Sequence, residues 1–318
     1  MHIGDVARGF EKIAENVRQV VRGKDDVVDL ALICLLSEGH LLVEDVPGTG
    51  KTTMARAIAA SVRATYHRIQ FTPDLLPSDV SGVSIFNQKT SEFEFHRGPV
   101  FANIVLGDEI NRASPKTQSA LLEVMEEQHV TIDGVGHPVP RPFMVVATQN
   151  PIDMDGTYAL PEAQLDRFLM RIAMGYPDTD AEITILNGRT DHRRPEDLSP
   201  VVAVDEVASM IAATETVHAA SELQRYVVSV VAATRQLSDA RLGASPRGSI
   251  ALLRAAKVRA AAEGRDYATP EDVKTLAVPV LAHRVLLSAE AQVRGVTQEA
   301  LVERVLDATA VPGVVGVA

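Results

Sequence analysis

Short apolar runs alternate with longer amphipathic stretches along the first half of the chain. Four of these runs have the length and composition of buried strands. They are Leu41–Val43, Thr65–Gln70, Ile104–Leu106 and Phe143–Ala147. The stretches Thr52–Val62 and Lys116–Gln128 lie between them and are predicted helices. Strands that alternate with helices indicate an α/β fold with a largely parallel sheet.

Two further segments alternate apolar and polar residues with a period of two. Gly82–Phe86 and Glu92–Phe95 flank the polar residues Asn87–Ser91, which predicts a β-hairpin. Val130–Asp133 followed by Gly134–Gly136 predicts a second hairpin. Both hairpins could be exposed structural elements without a function, or they could transmit a change at a bound ligand to another protein.

The second half of the chain is predicted to be helical. The polar, proline-containing stretch Asp191–Asp197 is typical of a linker. Five helical segments follow it, namely Asp205–Thr216, Glu222–Ser238, Pro246–Glu263, Pro270–Arg284 and Thr297–Asp307. We therefore expect an α/β domain over residues 1–190, and a linker with a helical domain over residues 191–318.

Composition and charge narrow the classes of function. The chain has 318 residues, of which 46% are hydrophobic, which is enough for two domain cores. Its net charge of −11 disfavours binding to nucleic acid or to an anionic membrane. The single cysteine, Cys34, excludes an intrachain disulfide and favours a reducing compartment. The lack of a long apolar run or secretory segment predicts a cytoplasmic protein without stable membrane insertion.

Residues 45–52 have the pattern of a phosphate-binding loop. They read Asp-Val-Pro-Gly-Thr-Gly-Lys-Thr, and they follow a predicted strand and precede a predicted helix. Backbone N–H groups of such a loop and the helix N-terminus attract a polyphosphate. Asp45 replaces the first glycine of the standard pattern, but Gly48 and Gly50 are retained. The predicted binding residues are Val46, Pro47, Gly48, Thr49, Gly50, Lys51, Thr52 and Thr53.

A second motif, Asn103–Glu109, ends an apolar strand in two carboxylates. The carboxyl end of a strand in a parallel sheet would place both acids beside the P-loop. We expect Asp108 to hold Mg²⁺ together with the Thr52 hydroxyl, and Glu109 to activate a water molecule. A solvated strand end has the same composition, so this interpretation depends on the P-loop that precedes the motif.

Three other polar residues could act on a phosphate group. Asn150 follows another buried strand and could hydrogen-bond both a water molecule and a γ-phosphate, although an asparagine before a proline is also common in turns. Arg167 and Arg247 each could bind phosphate charge bidentately. The alternative for each arginine is a salt bridge at a surface or between domains, and the sequence does not decide between the two.

Together, these motifs resemble the AAA+ ATPases, and specifically the MoxR family. The closest stretches are Leu42–Thr52, Gly98–Met125, Ala147–Met170, Gly243–Arg247 and Asp266–Val273. The likeness extends over essentially the entire chain. It implies a P-loop AAA+ core with a parallel sheet and β-hairpin inserts, followed by an all-α lid domain. It also implies that Lys51 and Thr52 form the Walker A pair, and that Asp108 and Glu109 form the Walker B pair.

The resemblance assigns roles to the remaining candidates. Asn150 is placed like sensor 1, Arg167 like the arginine finger and Arg247 like sensor 2, while Val21–Gly23 matches the segment beside the adenine. It implies ATP and Mg²⁺ as cofactors and a ring, usually a hexamer, with ATP bound between subunits. It further implies a von Willebrand factor A-type partner protein and an unidentified client protein, whose maturation or metal-cofactor insertion the ring assists.

We therefore expect an ATP-hydrolysing chaperone that remodels client proteins. Two alternatives remain open, namely a motor subunit of a metal-ion chelatase and a nucleotide-gated binding module with negligible hydrolysis. Activity that depends on a porphyrin-binding partner would indicate the chelatase subunit. The simultaneous presence of Glu109, Asn150 and Arg167 disfavours the second. The acidic charge disfavours a DNA-translocating ATPase.

Overall fold

The computed structural model describes residues 1–46, 48–150, 157–176, 179, 183 and 193–311. The chain divides into two compact units. The first contains Glu11–Phe168 and Ile172–Ala208, and the second contains Met1–Phe10, Leu169–Arg171 and Ser209–Ala318. The boundary predicted between residues 190 and 191 lies outside the described residues and stays a prediction.

Five strands of the chain form one sheet. Its strands are β1 (Leu41–Glu44), β2 (Tyr66–Gln70), β5 (Ile104–Asp108), β8 (Met144–Gln149) and β9 (Met170–Ile172), in the order β2-β5-β8-β1-β9. The pairs β2–β5, β5–β8 and β8–β1 are parallel, which confirms the predicted sheet. The short strand β9 was not predicted, because three residues are too few to show a period.

The polar residues of the site begin where strand burial ends. In β5 and β8, all residues before the last are buried, and Asp108 and Gln149 at the carboxyl ends are half-buried. The core on one side of the sheet includes the fully buried rings of Phe71 and Phe168. Side chains next to this core have few alternative positions, so the ends of β5 and β8 are held firmly.

The helices from the amino terminus to residue 168 are α1 (Ile3–Arg18), α2 (Asp25–Leu36), α3 (Lys51–Ser61), α4 (Pro77–Ser81), α5 (Pro115–Glu127) and α6 (Glu162–Leu165). The predicted helices after the P-loop and after the second motif are confirmed within one residue at each end. Helix α5 begins after Ser114, whose hydroxyl accepts from the Thr117 N–H, with Pro115 in the first turn. The sequence analysis did not predict α1 and α2, and α2 is buried over most of its surface, which removes the amphipathic period.

Both predicted hairpins are present. The first consists of β3 (Gly82–Asn87) and β4 (Glu92–Arg97), and the second consists of β6 (His129–Ile132) and β7 (Val135–Pro138). Each is a separate two-stranded antiparallel sheet. Both predicted hairpins are therefore confirmed, as elements separate from the five-stranded sheet.

The helices after residue 200 are α7 (Val204–Glu215), α8 (Ser221–Thr234), α9 (Pro246–Ala262), α10 (Pro270–Leu281), α11 (Ala289–Val293) and α12 (Gln298–Ala308). Helix α10 begins with a capping box between Thr269 and Asp272. The five predicted helices are confirmed, although the second ends at Thr234 and the fourth ends at Leu281, where a 3-10 helix over Ala282–Arg284 follows. A short antiparallel pair, β10 (Ala240–Leu242) and β11 (Leu286–Leu287), was not predicted. Across the described parts of the chain, none of the helices combines the length and apolarity needed to cross a membrane.

Candidate active site

The P-loop connects β1 to α3 through backbone conformations that require glycine. Gly48 and Gly50 have φ values of 86° and 95°, in the left-handed region where a Cβ atom is unfavourable. Gly50 is the residue immediately before α3, so the loop leads directly into a helix N-terminus. A Cβ atom built on Gly48 would meet no atom within 4 Å, so this side of the loop can approach a ligand closely. Pro47, a predicted binding residue, lies outside the described residues.

Lys51 is the first residue of α3, and its side chain folds back over the P-loop. Its Nζ donates to the carbonyl oxygens of Val46 at 2.7 Å and Asp45 at 3.2 Å. Burial lowers the pKa of Lys51, and the negative charges of Asp45, Asp108 and Glu109 partly oppose that shift. The ammonium group therefore lies in the electrostatic field of three carboxylates.

Asp45 stands where the standard P-loop has a glycine, and its carboxylate fastens the loop. Oδ1 accepts from the Val46 N–H at 2.7 Å, and Oδ2 accepts from the Gly175 N–H at 2.6 Å. Charge-assisted hydrogen bonds of this kind compensate for burying the carboxylate. Lys24 adds a further contact to the same segment, because its Nζ donates to the Tyr176 carbonyl at 2.8 Å. Asp45 therefore ties the start of the P-loop to the chain that follows β9.

A cleft of about 400 Å³ lies over the P-loop and the carboxyl ends of β5 and β8. The residues that line it are Asp45, Gly48, Thr49, Gly50, Lys51, Thr52, Thr53, Arg68, Asp108, Glu109, Thr148, Gln149 and Asn150. The structure thus brings together nine predicted site residues, from Gly48 to Thr53 and at positions 108, 109 and 150. Val46 is not among the lining residues, and its carbonyl oxygen instead contacts Lys51.

Both carboxylate oxygens of Asp108 are hydrogen-bonded. Oδ1 accepts from the hydroxyl of Thr148 at 2.6 Å, and Thr148 itself is buried in β8. Oδ2 accepts from the guanidinium of Arg68 on β2 at 2.5 Å. The carboxylate is therefore oriented by two neighbouring strands of the sheet.

Glu109 has an unusual backbone conformation and several anchors. Its φ of 55° places a residue other than glycine in the left-handed region. Its N–H donates to the Thr148 hydroxyl at 2.9 Å. Its Oε2 accepts from Gln70 at 3.1 Å and from Arg112 at 2.9 Å. These contacts fix the direction of the carboxylate at the rim of the cleft.

The other three predicted residues have different positions. Asn150 lines the cleft with the two acids, and its contact to a phosphate stays a prediction. Arg167 is half-buried and pairs with Glu126 on α5 at 2.8 Å, and it is not among the lining residues. Arg247 is exposed near the start of α9, where its N–H donates to Ser245, in the other compact unit. The roles of both arginines stay predictions.

Sequence reasoning missed Thr148, Arg68 and Gln70, although all three contact the paired acids. Gln70 is directly opposite Asp108 in the β2–β5 register. Alternation along β2 places Arg68 and Gln70 on the same face, so this register would have been the signal. Thr148 lies two residues before Asn150 in the same motif. A polar side chain at the end of an otherwise apolar strand was the sequence signal that could have identified Thr148.

The residues in the cleft fit an ATP molecule with Mg²⁺. The ammonium of Lys51 and the start of α3 suit the phosphate groups. The hydroxyl of Thr52 and the carboxylate of Asp108 are oxygen ligands of the kind that Mg²⁺ prefers. The chemistry of this donor set, together with the close approach allowed at Gly48, supports the group that the motifs imply.

Comparison with known proteins shows which family the chain resembles. A model of the ATPase family associated with various cellular activities (AAA) matches residues 40–170, and a model of the AAA lid domain matches residues 232–305. The chain is 50% identical to the uncharacterized protein YeaC of Bacillus subtilis, over 95% of this chain and 94% of that protein. It is 43% identical to the chaperone MoxR1 of Mycobacterium tuberculosis, over 96% of this chain and 83% of that protein.

A solved structure extends the likeness to three dimensions. A crystal structure of a Cytophaga hutchinsonii protein, provisionally assigned as an ATPase, superposes with a TM-score of 0.91 and 37% identity. The match covers 97% of this chain and 96% of that protein. Since the P-loop, the paired acids, the helical lid and the relatives named MoxR all agree over nearly the whole length, the chain belongs to the MoxR family of AAA+ ATPases.

Proposed function

We propose that this protein hydrolyses ATP in a ring of identical subunits, a hexamer, and uses the reaction to remodel client proteins in the cytoplasm. The single observation that carries the proposal is the position of Asp108 and Glu109 beside Lys51 in one cleft. The chaperone role is supported by the similarity to MoxR1. The cytoplasmic location is supported by the single cysteine, Cys34, which is buried and allows no intrachain disulfide.

Each residue in the cleft has a defined task in this proposal. Lys51 and the N–H groups at the start of α3 bind the phosphates, while Thr52 and Asp108 hold the metal. When bound, Mg²⁺ neutralises charge on the phosphate oxygens. Glu109 accepts a proton from the attacking water, because a carboxylate held at a fixed angle is a suitable general base. Asn150 orients that water from the neighbouring strand.

Two arginines complete the proposed mechanism. Arg167 acts on the ATP of the adjacent subunit and stabilises the charge of the transition state. Arg247, within the lid domain of residues 191–318, stabilises the same charge from its own subunit. Movement of the lid after hydrolysis then acts on the client. A von Willebrand factor A-type protein is the proposed partner. Maturation of the client by metal-cofactor insertion is the proposed outcome, by resemblance to the family.

The deciding experiment tests whether Arg167 acts between subunits. We expect ATPase activity per subunit to rise with protein concentration, and Arg167→Ala to lower it by about a thousandfold. Mixing Lys51→Ala with Arg167→Ala subunits should restore part of the activity. One type of interface in such a ring has both an intact Lys51 and an intact Arg167.

The pair between Arg167 and Glu126 provides a matched control. Glu126→Gln removes the ion pair within the subunit but leaves the arginine in place. Near-normal hydrolysis in Glu126→Gln, with loss in Arg167→Ala, supports action in trans. Equal losses in both variants, without recovery on mixing, would mean that Arg167 only braces its own subunit.

A further inference from the structure

Arg68 is a second cationic side chain in the cleft, and the proposed hydrolysis does not use it. It lies on β2, and its guanidinium donates to Asp108 at 2.5 Å and to the Gln70 Oε1 at 2.6 Å. The Arg68 side chain is 46% exposed, whereas that of Asp108 is 14% exposed. A half-exposed cation is therefore paired with a largely buried acid, and that acid is a proposed metal ligand.

The hydrogen bonds of Asp108 leave little room for an additional cation. Thr148 donates to Oδ1 from a buried position, so this contact is fixed by the core of the sheet. Oδ2 is engaged by Arg68. A divalent cation that takes Asp108 as a ligand must therefore compete with Arg68 for Oδ2.

The charges of the cleft show why such a counter-ion is useful. Among the described residues that line it, Asp45, Asp108 and Glu109 are acidic, while Lys51 and Arg68 are basic. Without Arg68, the carboxylate of Asp108 would repel a polyphosphate that arrives without a metal ion. Arg68 neutralises the carboxylate nearest to the proposed metal position.

Arg68 can also leave this position at low cost. β2 is at one end of the strand order, and the Arg68 guanidinium is half-exposed, so water can hydrate it when it leaves Asp108. An arginine side chain is long and has many rotamers, so it can turn toward solvent while the backbone of β2 stays paired.

We propose that Arg68 is a positioning residue that neutralises Asp108 before the metal is bound and leaves Oδ2 when it is. This inference rests on the proposed function, because it takes Mg²⁺–ATP as the ligand of the cleft. Competition for one carboxylate is reciprocal. Removing Arg68 should therefore strengthen Mg²⁺ binding to the complex with nucleotide and weaken binding of nucleotide without metal.

The test is nucleotide binding by Arg68→Gln, measured as the Kd of a fluorescent ATP analogue. In excess EDTA, we expect the Kd to rise by about three- to tenfold relative to wild type. In saturating Mg²⁺, we expect a change of less than about twofold. When Mg²⁺ is titrated, affinity for the ATP analogue increases, and we expect the Mg²⁺ concentration that gives half of this increase to be lower in Arg68→Gln than in wild type. Arg68→Lys, which keeps the charge, should give intermediate values.

Arg56→Gln is the matched control. Arg56 has a side chain that is 47% exposed and an ion pair to Glu196 at 2.6 Å, and it does not line the cleft. For this variant, the ratio of the Kd in excess EDTA to the Kd in saturating Mg²⁺ should equal that of wild type. Thermal unfolding checks that the variants are folded, and if Arg68→Gln is not, the same titration of Arg68→Lys decides.

One result would contradict the role of Arg68, and a different result would contradict the proposed function on which it rests. A wild-type ratio of Kd values in Arg68→Gln, with an unchanged Mg²⁺ midpoint, would overturn the role of Arg68 alone. Nucleotide binding that is absent from wild type, or unaffected by Lys51→Ala, would overturn the proposed function and this inference with it.

Discussion

The backbone of Glu109 adopts a left-handed conformation at the point where β5 ends. A residue other than glycine in this region costs about 1 kcal/mol. The contacts to Thr148, Gln70 and Arg112 hold it there. A strained residue that is held by contacts to three other residues is typical of a functional position, and it points to a carboxylate whose direction matters.

We expect Glu109→Gln to lower the rate of ATP hydrolysis by about a hundredfold or more while nucleotide binding is kept. The amide has nearly the same shape and can retain the backbone conformation, but it cannot accept a proton. Single-turnover hydrolysis and the Kd of a fluorescent ATP analogue measure the two effects.

Glu123→Gln makes the same chemical change on the exposed face of α5, where it should have no effect on hydrolysis. Hydrolysis by Glu109→Gln at the wild-type rate would exclude Glu109 as the base.

His40 illustrates how a buried polar residue connects the sheet to a helix. Its Nδ1 accepts from the Val145 N–H at 3.0 Å, and its Nε2 donates to the Met125 carbonyl at 3.0 Å. The bond from Val145 requires the neutral ring, because a protonated Nδ1 cannot accept, whereas the bond to Met125 is possible in both protonation states. Burial lowers the pKa of His40 from 6.5 to about 4, and the bond to Met125 opposes this shift only partly.

This pKa predicts a pH dependence of stability. Between about pH 6.5 and pH 4, His40 is protonated in the unfolded chain but not in the folded one, so the free energy of unfolding falls as the pH is lowered. The full loss attributable to His40 is about 3 kcal/mol. Urea unfolding at several pH values measures the free energy of unfolding. This free energy should change less steeply with pH for His40→Gln than for wild type.

His67→Gln, at an exposed position, should retain the wild-type slope. Equal slopes in wild type and His40→Gln would show that His40 is not the titrating group.

At the scale of elements, the β3–β4 hairpin exposes apolar side chains that the fold does not bury. Phe93 is 71% exposed, and Phe86 is 49% exposed and contacts it edge to face. Val83 and Ile85 on β3 are also exposed. Exposed apolar clusters on soluble domains often mark a surface that binds another protein. These residues favour the second of the two interpretations that the sequence left open, in which the hairpin transmits a change at a bound ligand to another protein.

We expect Phe93→Ser to weaken binding of an unfolded protein by about tenfold or more, because exposed aromatic anchors dominate such contacts. The probe is a fluorescently labelled, permanently unfolded protein, titrated in the presence of ATP against the Glu109→Gln background. The rate of ATP hydrolysis in the otherwise wild-type chain should be unchanged.

Val293→Ser, at a position that is 90% exposed in the helical unit, is the matched control and should bind the probe normally. The hairpin would have no role in client binding if Phe93→Ser and Val293→Ser bound the probe equally well.

At the scale of the whole molecule, much of the fold followed from local patterns. Buried strands of the parallel sheet are continuous apolar runs, and the P-loop and the paired acids lie where such runs end. Both hairpins were predicted because their alternation and polar turns are local. Capping residues such as Thr269 marked helix starts for the same reason.

The missing parts depend on contacts between distant residues. Arg68 meets Asp108 only through the register of β2 against β5. Asp45 meets Gly175 only because the chain after β9 returns to the P-loop. Neither contact follows from a hydrophobic period or a sequence motif. The sequence therefore indicated the two acids but not the groups that orient them.

The position of β2 at the end of the strand order has a consequence for how such an enzyme can diversify. Gln70 and Arg68 hold the two acids from a strand whose described pairing is with β5. Substitutions there alter the partners of both carboxylates without disturbing the P-loop or the inner strands. Under the proposed function, evolution or design can therefore adjust the rate and the metal requirement of hydrolysis on this strand, while the rest of the cleft is left intact.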